Sequence, residues 1–489
     1  MHQAAKQITS YCFGGQVLYC QGRSWEQHST TSAEEVPSGN SVVEQTKIAC
    51  DVGGTFSDFI FLDDKNHFNV FKVPSTPSDP AEAVAAGLVR AQVRPPAELV
   101  HGFTIATNAV LERKGSRTLL VTTEGFADVL EIGRQDRPDL YRPPQRPAPL
   151  VPRAWRVEAH ERVAADGAVL VPLDKCSLKD RLEKVVGKTQ VGVEAVAVCL
   201  LFSFLDPTHE QEVREVVQEV LGADVPVMLS SEVLPHFREY ERTSTTLLDA
   251  YVAPTVNRYL QRLTNLTRPY VATVSVMQSS GGMSTPTTLR PSQSLLSGLA
   301  GGVLAGRYTG SVCSAPDLVS LDIGGTSTDV ALVAGGNFRV TSEASIGGFP
   351  LALPTIDVET VGAGGGSIAH IDRQGLLQVG PQSQGADPGP ACYGRGGTKV
   401  TVTDVGLMLG WLSPVNFAGG TLPLYPDHSR AVVEELARQL SQPVEVLAEG
   451  VHKTYFSLGG IISTKERVLI SLSEKFVAER TLVDYGIQQ

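Results

Sequence analysis

From residue 47 onward, apolar and polar positions alternate in blocks that read as strands and helices, whereas residues 1–45 show neither period. The alternation predicts strands over 47–52, 57–63 and 68–73, with a glycine turn at Gly53-Gly54 between the first two, which opens the fold with a β-meander. A helix is expected after Asp79, with Pro80 in its first turn, ending near Gln92. Apolar runs at 118–122 and 191–205 read as buried strands. Helices are predicted over 178–186, 209–220, 244–265 and 294–308, and a strand over 272–278. Repeated proline over 137–152 marks an exposed connection, because proline removes a ladder donor and restricts the residue before it.

One pattern occurs twice. Asp51-Val-Gly-Gly-Thr-Phe-Ser-Asp58 and Asp322-Ile-Gly-Gly-Thr-Ser-Thr-Asp329 share D-[VI]-G-G-T-x-[ST]-D, each between two apolar strands. A glycine pair in such a turn lets backbone N–H groups approach one anion with no Cβ in the way. Gly53, Gly54, Gly324 and Gly325 are therefore candidate phosphate-cradling residues, with Thr55 and Thr326 adding hydroxyl donors. Asp51 and Asp322, just before the turns, suit Mg²⁺, which keeps several waters and takes one or two carboxylates. Two such hairpins facing each other would clamp a polyphosphate. Asp58 and Asp329 read either as supporting groups or as hairpin caps. The segment Gly187-Lys188-Thr189 is no P-loop, since Leu182 stands where the first glycine is needed.

Length and composition narrow the class. At 489 residues the chain is long enough for two to four packed units. Its net charge of −11 gives no basic footprint for nucleic acid or an anionic membrane. The longest apolar run, 191–205, is too short and too interrupted to span a bilayer. Seven scattered cysteines without a C-x-x-C pair argue against a disulfide framework and fit a cytoplasmic protein.

The paired hairpins resemble those of the actin-like ATPase superfamily. Further segments are similar to the hydantoinase A/5-oxoprolinase family: Thr107-Asn-Ala-Val-Leu-Glu-Arg-Lys-Gly115, Thr123-Glu-Gly-Phe-Ala-Asp128, Phe237-Arg-Glu-Tyr-Glu-Arg-Thr-Ser-Thr245, Val361-Gly-Ala-Gly-Gly-Gly-Ser367 and Ala386-Asp-Pro-Gly-Pro-Ala-Cys-Tyr-Gly394. The resemblance implies an α/β fold of two actin-like (ribonuclease H-like) lobes, each a mixed sheet flanked by helices, with a nucleotide cleft between them. It implies ATP and Mg²⁺ as cofactors, a small cyclic amide or imide as substrate, and a B-type partner subunit. The expected reaction is ring opening after phosphorylation of the carbonyl oxygen. An actin-like small-molecule kinase and a non-catalytic truncated subunit of a hydantoinase or ketone carboxylase complex are the competing readings, and a homo-oligomer is left open.

That reaction also needs a carboxylate to direct water and donors for an oxyanion. Asp357 and Glu359, expected at i and i+2 of one strand, would share a face as base and metal ligand. The run Gly364-Gly365-Gly366 would form a nest of N–H groups. Cys392, with His370 and Asp387, is a weaker candidate for covalent or metal chemistry. The expected division is a disordered leader over 1–45, an N-terminal lobe over 46–240, a second lobe over 241–455, and a divergent tail over 456–489. The tail shows no glycine-rich adenosine-binding segment of the superfamily's kind, so a truncated chain with an open nucleoside end is expected.

Overall fold

The computed structural model describes residues 12–13, 16–18, 46–53, 56–62, 68–76, 79–135, 147–188, 192–325, 328–361, 363–385, 387–415, 417 and 422–461. The meander forms as expected: Thr46–Val52, Phe56–Leu62 and Phe68–Pro74 pair antiparallel in chain order. Ala97–Phe103 lies parallel beside Thr46–Val52, followed by Thr273–Met277 and Met283–Ser284, to complete a six-stranded mixed sheet. Its inward residues, Ile48, Phe59, Leu99 and Phe103, pack with Val84 and Leu88 of helix Pro80–Arg90. Gly87 makes that packing close, because a Cβ there would stand 2.0 Å from the Phe59 ring.

Between these strands in sequence, a second sheet is inserted. Val227–Leu229, Ala195–Cys199, Thr118–Thr123 and Arg156–Ala159 lie side by side, all parallel. Helices Lys175–Lys188 and Thr208–Leu221 cover one face. The other face packs on Leu247 and Ala250 of the long helix Glu239–Thr267, whose Val252, Val256 and Leu260 join the core of the first sheet. This helix is thus held between two sheets, and residues 242–253 are buried without interruption. Surface amphipathicity gives way to burial all round.

One expectation needs correction here. The run 191–205 is not one strand: it leaves the sheet after Cys199, where the Leu200 N–H donates to Glu210, the Leu200 carbonyl accepts from Arg242, and the Leu201 N–H donates to Thr123. Glu239–Thr267 and Thr273–Met277 belong to the first core, and Ile346, Phe349 and Leu351 return to it. Within residues 1–45, Cys12–Phe13 and Gln16–Leu18 are strands, and Gln16–Leu18 pairs antiparallel with Ser320–Asp322. Most of the leader and residues 462–489 lie outside the described residues.

The second lobe is built on Leu318–Ile323 and Thr328–Ala334, an antiparallel hairpin flanked by Asn337–Phe338 and Glu359–Val361. Beyond it, the hairpin Ser367–Ile371/Leu377–Ser383 packs with helices Val402–Met408, Pro426–Gln439 and Val444–Ile461 around Val379, Val433 and Val451. Helix Ser297–Val312 touches both Ala97–Phe103 and Leu318–Ile323, and so bridges the two hairpin sheets.

Candidate functional site

Each repeat folds as the hairpin its sequence predicts, and the two acidic positions of each become direct cross-strand neighbours: Asp51 opposite Asp58, and Asp322 opposite Asp329. Gly53, Gly324 and Gly325 sit in the turns, while Gly54, Thr55 and Thr326 lie outside the described residues. Two like charges directly opposite are unfavourable unless something offsets them. In the first hairpin Lys72, on the next strand, forms an ion pair with Asp58. In the second, the Thr360 hydroxyl donates to Asp329 Oδ1 at 2.6 Å.

Asp51 is exposed to solvent, although protein crowds much of its carboxyl. This packing, together with the Asp58 carboxylate, raises its carboxyl to about 6 against the opposing pull of Lys72. Room for it comes from Gly102 on the neighbouring strand, where a Cβ would stand 2.8 Å from Asp51 Oδ1. Below lies a buried pair: His101 Nδ1 is 3.0 Å from the Cys50 carbonyl and Nε2 is 2.7 Å from the Tyr259 hydroxyl. A carbonyl only accepts, so Nδ1 carries the proton and Nε2 accepts from Tyr259. Burial lowers His101 to about 4, so the ring is neutral. The Gly53 carbonyl accepts from Ser75 Oγ at 2.9 Å, which pins the turn to the third strand.

The glycine run Gly364–Gly366 does meet the second hairpin, but not as an anion nest. Gly364 N–H donates to Ser367 Oγ, Gly365 N–H to the Gly324 carbonyl and Gly366 N–H to the Gly325 carbonyl. These donors are spent on protein acceptors, so the run braces the turn. A Cβ at Gly366 would stand 2.8 Å from the Gly325 carbonyl oxygen, which is why only glycine fits. Thr328 continues the brace, donating to the Ala363 carbonyl and meeting Tyr455 Oη at 2.7 Å.

Asp357 and Glu359 do not form the expected pair. The backbone leaves one sheet after Thr355–Ile356 and joins another at Glu359–Val361, so the two residues share no strand. Asp357 stands 3.6 Å from the Arg339 guanidinium, and Glu359 is exposed opposite Val330. The neighbouring residue that reaches the hairpin is Thr360, next after Glu359. Cys392 is fully buried, and burial followed by the Asp404 carboxylate pushes its thiol up to about 12, which removes it as a nucleophile. Among the described residues no cluster of three or more His, Cys, Asp and Glu is placed to hold a metal. That leaves the two-carboxylate pattern of Asp51 and Asp322, whose hard oxygen donors fit Mg²⁺ with phosphate and water completing its shell.

Gly102, Ser75 and Thr360 had no motif to announce them; they enter the site only because strand pairing puts them beside Asp51, Gly53 and Asp329. Thr104 does the same, its N–H and hydroxyl both directed at the Val52 carbonyl from the start of helix Ile105–Leu111.

The hydantoinase/oxoprolinase N-terminal region matches residues 47–221, and the hydantoinase/oxoprolinase model matches residues 242–457. The chain is 36% identical to the caprolactamase subunit alpha of Pseudomonas jessenii, over 83% of this chain and 60% of that subunit. It is 31% identical to the acetone carboxylase beta subunit of Xanthobacter autotrophicus, with the same two coverages, 83% and 60%. It is 33% identical to 5-oxoprolinase 1 of Arabidopsis thaliana, over 82% of this chain and 35% of that one. The ATP-dependent caprolactamase structure superposes with a TM-score of 0.71 at 33% identity, over 90% of this chain and 64% of the other. A nucleotide-free acetone carboxylase superposes at 0.73 and 29%, over 86% and 64%. The chain thus spans less than two thirds of each of these relatives, and its mixed sheets and flanking helices are those of the actin-like ATPase fold.

Proposed function

The chain belongs to the hydantoinase/oxoprolinase family, and from that premise we propose that it is the nucleotide-binding, A-type part of an enzyme that uses ATP to open a cyclic amide. The observation that carries this reading is the matched pair of hairpins, each with an aspartate before a glycine turn and a second aspartate directly across the ladder. A cyclic amide resists water because resonance weakens its carbonyl as an electrophile. Transfer of the γ-phosphoryl group to the carbonyl oxygen forms a P–O bond there and breaks the bond to the β-phosphate, releasing ADP. Water then adds to the activated carbon, the ring C–N bond breaks and phosphate departs.

In this scheme the turns at Gly53-Gly54 and Gly324-Gly325, with Thr55 and Thr326, orient the polyphosphate. Asp51 and Asp322 would hold Mg²⁺, which supplies neutralising charge to the phosphates when bound. The ion pair with Lys72 holds Asp58 in place beside Asp51. Relatives named as subunits of caprolactamase and of acetone carboxylase support a second subunit as partner, of the B type in our reading. The likeness to acetone carboxylase favours one alternative, in which the same phosphorylation step serves a ketone carboxylation.

The test is phosphate release from Mg²⁺-ATP by the purified chain with its co-expressed partner, with and without caprolactam, 5-oxoproline or hydantoin. Amide-dependent release together with the ring-opened acid is expected. A stable phosphorylated product would instead mean a kinase. Asp51→Ala and Asp322→Ala should each lower turnover by at least about a hundredfold, with thermal melts close to wild type. Unchanged turnover in either variant would sink the two-hairpin site.

A further inference from the structure

Away from the hairpins, an open cavity of about 370 Å³ is bounded by Met228 at the edge of the inserted sheet, Asp249 of the long helix, and Thr288, Leu289, Arg290, Pro291 and Gln293 of the segment after Met283–Ser284. Asp249 is completely buried. Its Oδ1 accepts from the Ser292 N–H at 2.7 Å, but its Oδ2 has no hydrogen-bond partner. The hydroxyl of Ser292 is equally without one. A buried carboxylate oxygen left in this state costs free energy, and native structures rarely tolerate it without a ligand, ion or water. The nearest cation is the Arg290 guanidinium, partly exposed at the mouth and 3.9 Å from Oδ2, too far to donate.

These parts define a complementary shape. The floor offers a carboxylate oxygen seeking a donor, the mouth a guanidinium seeking a carboxylate, and Met228, Leu289 and Pro291 an apolar wall between them. Guanidinium groups favour carboxylates through paired N–H donors. We propose that this cavity is an accessory binding site for a small amino acid zwitterion, whose ammonium group sits on Asp249 Oδ2 and whose carboxylate takes Arg290. On binding, Arg290 turns outward from its loose ion pair with Asp249 to the ligand, so that the carboxyl and the guanidinium each gain a hydrogen-bonded partner. The volume suits a molecule of this size. The proposal does not depend on the reading of the hairpins, because the cavity is formed without either of them.

The inferred site also touches the rest of the lobe through one short stretch of chain. Pro291–Ser294 forms a single 3₁₀ turn, and two residues later Leu296 takes a left-handed conformation, φ 64°, to start helix Ser297–Val312. The Leu296 N–H is held by Thr107 Oγ1, and the Ser297 hydroxyl by the Phe103 carbonyl at the end of a hairpin-sheet strand. Occupancy of the cavity therefore bears on the backbone that anchors the bridging helix.

The experiment is calorimetric titration of the full chain, without nucleotide, using L-glutamate and the unbranched ω-amino acids from 4-aminobutanoate to 6-aminohexanoate, with butylammonium and butanoate as separate halves. At least one zwitterion should bind, and Asp249→Asn and Arg290→Gln should each weaken it by about tenfold or more. Asp249→Asn keeps an oxygen for the Ser292 N–H, so the fold is retained. Butylammonium binding should fall in Asp249→Asn and stay unchanged in Arg290→Gln, and butanoate should show the reverse. Met228→Trp, which fills the cavity from its apolar wall, should abolish binding. No binding by any probe, or equal affinity in wild type, Asp249→Asn and Met228→Trp, would overturn the site and leave Asp249 and Arg290 as a loose structural ion pair. Because ATP is absent, failure here would not count against the hairpin reading, and loss of ATP turnover in Asp51→Ala would not count against this one.

Discussion

Gly102 shows how far one missing side chain reaches. A methyl group there would stand 2.8 Å from Asp51 Oδ1, so Gly102→Ala must push the carboxylate from its place. Turnover should fall about tenfold or more while stability changes by only about 1 kcal/mol, a split that initial-rate kinetics and a thermal melt on the same preparation would read. His101 gives the pH counterpart. Its folded value of about 4 lies below the ordinary value of 6.5, so between these limits only the unfolded chain takes up the proton. Acid therefore favours unfolding across that window, by roughly 3 kcal/mol in total from this residue, and none of the loss occurs above about pH 7. Urea unfolding from pH 7.5 to 4.5 should show that decline in wild type and a shallower one in His101→Gln. The placement of Asp51 and Asp322 before matched hairpin turns was legible from the repeat, because a turn motif is local. His101, Gly102 and Thr360 were not, because their roles arise from register across strands far apart in sequence, which no short pattern records.

At the scale of elements, the meander, the two hairpins and most helices were readable from periodicity and turn residues. One failure came from buried polar side chains that end or redirect the backbone. Arg242 and Glu210 stop the strand Ala195–Cys199 by binding the first backbone groups beyond it. Asp404 does the same for the loop around Cys392. Fully buried at the start of helix Val402–Met408, it accepts from the N–H groups of Ala391, Cys392 and Thr401 and from the hydroxyls of Thr401 and Ser429. Asp404→Ala would strand all of these donors in the interior, and a loss of about 3–5 kcal/mol is expected. Asp404→Asn, which keeps one acceptor oxygen, should cost less. Denaturant midpoints with an unchanged slope would check both. The glycine run Gly364–Gly366 misled in the opposite direction: glycine permits close approach, but the partner approached is the hairpin's own carbonyls and not an anion.

Over the whole molecule, the two hairpin sheets are alike in plan and unlike in how their first strands are flanked. Thr46–Val52 is paired along its full length by Ala97–Phe103, from Thr46↔Ala97 to Val52↔Phe103. On the corresponding side of Leu318–Ile323, the described residues place only Gln16–Leu18, opposite Ser320, Leu321 and Asp322. The helices Val402–Met408 and Val444–Ile461 hold the second turn from behind, Thr403 through the Gly365 carbonyl and Tyr455 through Thr328. Amide hydrogen exchange should therefore be uneven between two segments of nearly the same sequence. The amides of 48–52 should exchange only through large-scale opening, while those of 318–323 should exchange through local fraying, orders of magnitude sooner. A deuterium label would then mark one of the two phosphate-facing turns and spare its twin. Asp322 would spend part of its time on a loosened strand while Asp51 stayed fixed, so a polyphosphate arriving at the protein would find one rigid jaw and one that settles only after it is gripped.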